Sequence, residues 1–136
     1  MKRVAQVTEN HFMLDNHVPP HITIAAVETK YEDELMTRIE KVVNGLTCGE
    51  INFVCAGNFS TKVIFLQPVL NEYLHQLAKA LTQEFEQMEK TILSPYYKPF
   101  SWLPHCTIAK QLSKEKMQKA FSELLQHFTP INGTVT

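Results

Sequence analysis

Two short stretches of this chain place the same polar side chains in the same order. Residues 19–24 read PPHITI and residues 103–108 read LPHCTI, so Pro-His-x-Thr-Ile occurs twice, with the histidines 84 residues apart. The chemistry on offer is proton transfer beside a phosphate. Imidazole titrates near pH 6.5. One neutral ring can therefore take a proton from water or a ribose hydroxyl while a second, protonated ring gives one to a leaving oxygen. The hydroxyls of Thr23 and Thr107 can donate to non-bridging phosphate oxygens as charge develops. Such a mechanism calls for no metal and no cofactor, and none is expected.

A single His-x-Thr arises easily, because threonine is a good strand residue. Two copies, each after proline, each ending in isoleucine and each opening an expected strand, point to a shared site. Alternation along a strand puts His21 and Thr23 on one face and Ile22 and Ile24 on the other. The same rule pairs His105 with Thr107 and turns Cys106 and Ile108 inward. Cys106 reads as a packed core thiol rather than a nucleophile.

Positioning those strands takes a mixed fold. Residues 2–10 suit a short helix and His11 to Val18 a loop. Pro19 and Pro20 then force extended backbone into a strand over HITIAAV. Thr29 and Glu32 have capping-box spacing, ahead of a helical stripe of Tyr31, Leu35, Ile39, Val42, Val43 and Leu46. INFVCAG and TKVIFL read as a hairpin turning through Asn58, Phe59 and Ser60. Asn71 can cap a helix with Leu74, Leu77, Leu81, Phe85 and Met88 on one side. Ser113 can cap another carrying Met117, Ala120, Phe121, Leu124, Leu125 and Phe128. Between them, SPYYKPFSWLP leads into the second strand, HCTIAK. The order is strand, helix, hairpin, helix, strand, helix, a weak repeat of architecture. TPINGTVT at the end resembles the start of a further strand, and a terminal strand is expected to be missing at one or both ends.

Composition narrows the partners. The chain has 136 residues, 44% hydrophobic and 20% charged, with a formal net charge of -1, which suits one soluble domain spanning residues 1–136. No overall positive field draws in long nucleic acid; a nucleotide or a short RNA terminus is the expected substrate. No membrane segment is evident. Cys48, Cys55 and Cys106 are odd in number and lack metal-ligand spacing, so reduced thiols and a cytoplasmic location are expected. The sequence leaves the oligomeric state unknown, with a monomer favoured.

HITI at 21–24 and HCTI at 105–108, each after proline, and the W-x-P-H run from Trp102 to His105 resemble the two-histidine (2H) phosphoesterase superfamily. That group includes the 2′,5′ RNA ligase-like proteins and cyclic nucleotide phosphodiesterases. The resemblance spans the whole chain. It implies an α+β fold of two pseudo-symmetric lobes, with antiparallel sheets facing a central cleft and helices outside. It also implies that His21 and His105 are the catalytic histidines and that Thr23 and Thr107 hold the phosphate. The implied activity is metal-independent hydrolysis of a 2′,3′-cyclic phosphate or a 2′–5′ linkage. The alternative is a non-catalytic module that binds a nucleotide or RNA end in the same cleft.

Further residues are candidates for substrate contact. Tyr96, Tyr97 and Trp102 precede the second motif and could stack a base, as could Phe59 in the hairpin turn. Lys98 and Lys110 could meet a phosphate. His17 and His21 have helical metal-ligand spacing, but Pro19 and Pro20 between them exclude a helix. His11, His75 and His127 read as surface residues.

Overall fold

Two of the expected helix caps form. In the computed structural model, which describes residues 1–136, Asn71 Oδ1 accepts a hydrogen bond from the Leu74 N–H (3.0 Å) and opens helix Glu72–Glu86. Ser113 Oγ accepts from the Lys116 N–H (3.2 Å) and opens helix Lys114–His127. Each side chain satisfies a donor the first turn leaves unpaired.

In chain order the elements are α1 (Lys2–Thr8), α2 (Phe12–Asp15), β1 (Val27–Glu28), α3 (Glu32–Asn44), β2 (Gly49–Phe59) and β3 (Val63–Pro68). There follow α4 (Glu72–Glu86), β4 (Ile92–Leu93), β5 (Cys106–Lys110), α5 (Lys114–His127) and β6 (Ile131–Val135). The architecture is α+β with antiparallel sheets. No helix is long and apolar enough to cross a membrane.

The chain divides into two units. The first comprises residues 1–22, 52–69 and 105–132. Its sheet runs in the order β5-β3-β2-β6. Val4 of α1, Ile64 of β3, Ile108 and Ala109 of β5, and Met117 and Ala120 of α5 form its core. The second comprises residues 23–51, 70–104 and 133–136. There β1 pairs with β4, and Val42, Leu81, Phe85 and Met88 pack with Ile24, Leu35, Ile39, Leu77 and Leu93. The isoleucine of each motif thus enters a core: Ile24 that of the second unit and Ile108 that of the first. The leucine and phenylalanine stripe on α4 falls where its spacing predicts.

Several local expectations need correction. The run HITIAAV forms no continuous strand: Ile22 makes an isolated bridge and only Val27–Glu28 is laddered. Residues 23–25 belong to no ladder, the Ala26 carbonyl accepts from the Ser94 N–H (2.9 Å), and Ala25 and Ala26 favour strands weakly. Thr29 does not cap α3, whose N-cap is Tyr31. Its hydroxyl accepts instead from the Tyr31 N–H (3.1 Å), a local turn that starts the helix two residues later. The expected loop 11–18 contains the short α2, stabilised where Asn10 Oδ1 accepts from the Phe12 N–H. Phe59 is the last residue of β2, opposite Val63, rather than part of the turn. Leu125 is 86% exposed and off the buried side of α5. The terminal TPINGTVT does form a strand, β6, at the sheet edge beside β2.

In the second unit, Glu84 of α4 ties to α3 by accepting from Lys41 Nζ (2.6 Å) and Arg38 Nη1 (3.1 Å). The Lys41 ammonium first, then the Arg38 guanidinium, holds the Glu84 carboxyl below its ordinary range against some desolvation. A depressed carboxylate contributes stability above its ordinary range and loses it as pH falls through the lowered value. Glu84→Gln should therefore lower the urea midpoint at neutral pH, with the deficit shrinking on acidification below the ordinary carboxylate range. Urea melts at a series of pH values read this directly; a deficit constant with pH would contradict the assignment.

Candidate active site

The second motif is built on β5. There Thr107 lies opposite Phe65 and Cys106 opposite Leu66 of β3. On the other edge of β5, Ile22 makes an antiparallel bridge to Cys106. Residues directly opposite in an antiparallel pair share a face, and their neighbours point the other way. Cys106, Leu66 and Ile22 therefore take one side of the sheet, and His21, His105 and Thr107 take the other. Cys106 is 5% exposed, His105 and Thr107 are half-buried, and His21 is open to solvent. The antiparallel sense also runs His21 alongside Thr107 rather than away from it.

The first unit thus brings His21, His105 and Thr107 together on one face. Thr23, half-buried, is the first residue of the second unit, where Ile24 beside it joins the core.

The two imidazoles have different neighbours. His21 Nδ1 lies 2.8 Å from the Pro19 carbonyl oxygen. A carbonyl only accepts, so Nδ1 carries the hydrogen and the neutral ring presents its lone pair at Nε2. Beside His105, the Phe59 ring stands nearly perpendicular, centroids 4.8 Å apart at 86°. Phe65 lies 5.4 Å from the same imidazole.

The other candidates are dispersed. Tyr96 (79% exposed) and the half-buried Tyr97 form a single 3-10 turn, Pro95–Tyr97, with Lys98 exposed after it. Trp102 is 7% exposed, and its buried Nε1–H has no hydrogen-bond partner. Lys110 sits with its ammonium 4.7 Å above the Phe12 ring, a cation–π contact. Phe59 is 38% exposed. His17 adopts a left-handed backbone conformation (φ 52°) in the turn before Pro19. Sequence reasoning missed the Pro19 carbonyl, Phe65 and Gly57. Gly57 was the available signal, since a glycine inside a strand often marks a close approach.

The family model of the 2'-5' RNA ligase superfamily matches residues 1–136. The chain belongs to this superfamily. It is the 2H phosphoesterase superfamily, whose members are generally phosphoesterases and ligases acting on RNA or nucleotides. No curated protein matches the chain.

Cys106 lies beneath the face that carries His21, His105 and Thr107. Burial pushes its thiol above the ordinary range, with a hydrogen bond from the His21 backbone pulling partly the other way. A protonated, buried thiol is a poor nucleophile. Cys48 and Cys55 are exposed. With Ellman's reagent at neutral pH, two thiols should react promptly and the third only after denaturation. Rapid reaction of all three in the folded protein would contradict this placement.

Proposed function

We propose that this chain is a phosphodiesterase that opens 2′,3′-cyclic phosphates or cleaves 2′–5′ linkages in RNA or nucleotides. His21 and His105 act as its proton-transfer pair. The observation that carries the reading is the Ile22–Cys106 bridge, which turns both histidines and Thr107 to one face of one sheet.

On a 2′,3′-cyclic phosphate, water attacks phosphorus as one neutral imidazole takes its proton. The bond from phosphorus to one ribose oxygen breaks, and the other imidazole, protonated, gives that oxygen its hydrogen. Breaking the bond to O3′ leaves a 2′-phosphate. Nε2 is the nitrogen with which His21 works in either role, because Nδ1 is committed to Pro19. Thr107 and, by the motif, Thr23 donate to the non-bridging oxygens. Two imidazoles supply both proton transfers, so the reaction needs no metal.

The two units are read as the lobes of one domain. The substrate is a nucleotide or a short RNA terminus, in keeping with a net charge of -1. Tyr96 and Tyr97 are proposed to contact its base and Lys98 its phosphate. Lys110 completes the set of proposed contacts. Two exposed, unpaired cysteines suit a reducing compartment such as the cytoplasm.

The test is turnover of 2′,3′-cyclic mononucleotides and a 2′–5′ dinucleotide in the presence of EDTA. Loss of one acid–base partner costs about 10²–10⁴-fold, so His21→Ala and His105→Ala should each fall by that much while remaining folded. Undiminished turnover in either variant would sink the mechanism. Binding of the nucleotide without turnover by the unaltered protein would favour a binding module instead.

A further inference from the structure

The face that carries the two histidines also carries an aromatic pair. Gly57 of β2 lies opposite Phe65 of β3, which lies opposite Thr107 of β5. Directly opposed residues share a face, so this row crosses the sheet on the histidine side. Phe59 and His105, each two residues from a member of the row, point the same way. A Cβ at Gly57 would come within 2.7 Å of the Phe65 ring. The glycine therefore lets that ring lie across the sheet, where it meets Phe59 at 4.4 Å and His105 at 5.4 Å. Phe65 is 3% exposed and Phe59 38%. The buried ring backs the exposed one, and the exposed one stands edge-to-face with the imidazole at 4.8 Å and 86°.

We propose that Phe59 is a positioning residue for His105: its ring, braced by Phe65 over Gly57, fixes the plane of the imidazole and hence the direction of its proton transfer. The inference rests on the phosphodiesterase reading. It differs from a base-stacking role for Phe59, because a ring engaged with His105 acts through that imidazole rather than on the nucleobase. A catalytic group turned a small distance from its line of transfer loses rate steeply without loss of binding.

The test compares wild type, Phe59→Leu and Phe59→Tyr on a 2′,3′-cyclic mononucleotide, together with NMR of the histidine ring protons. Phe59→Leu should lower kcat by about tenfold or more with KM within about twofold, and Phe59→Tyr should restore it. In the His105→Ala background the Leu substitution should have no further effect, as expected when one residue acts through another. The His105 ring signals, displaced by the neighbouring aromatic currents, should move in Phe59→Leu while those of His21 stay. A raised KM with unchanged kcat, or unmoved His105 signals, would overturn the proposal. If the wild type turned over none of these substrates, the phosphodiesterase reading would fail, while the NMR arm would still decide whether Phe59 orients His105.

Discussion

One antiparallel bridge, Ile22 to Cys106, joins the two motifs. The motifs are far apart in sequence, and each is anchored by its own isoleucine, Ile24 in the second unit's core and Ile108 in the first's. Without the bridge, alternation along each strand would say which side of its own chain a histidine takes, but not that the two sides coincide. With it, Ile22 and Cys106 face inward together and His21, His105 and Thr107 face outward together. The buried thiol of Cys106 belongs to this arrangement. It fills the inward position between Leu66 and Ile22, and its place under the site is structural rather than chemical.

The imidazoles on that face have different surroundings. A hydrogen bond to the Pro19 carbonyl fixes both the tautomer and the direction of His21. Pro19 and Pro20 limit the backbone there, so the acceptor is part of a stiff segment. His105 lies against aromatic rings, whose positions follow from the β2–β3 register and from the absence of a side chain at Gly57.

Much of this was legible in the sequence because it is local. The Asn71 and Ser113 caps and the α4 stripe depend on spacing within one helix. The inward turn of Cys106 depends on alternation within one strand. What the sequence did not reveal depends on pairing between distant segments. The breaking of HITIAAV into an isolated bridge at Ile22 and a ladder that starts at Val27, the extension of β2 through Phe59, and the placing of Phe65 beside His105 all require knowing which strands are neighbours. The capping box at Thr29 failed for a local reason, the competing turn to Tyr31. The family resemblance was legible because its two motifs are short, intact and repeated, and the superfamily match over residues 1–136 agrees with it.

The central claim is that His21 and His105 serve one phosphate. It is tested most directly by following the ring resonances of both histidines by NMR while a nucleoside 2′-phosphate is titrated in. The account predicts that both imidazoles respond along a single saturation curve, with those of His11, His75 and His127 unmoved. A response at only one of the two, or two curves with different midpoints, would contradict it.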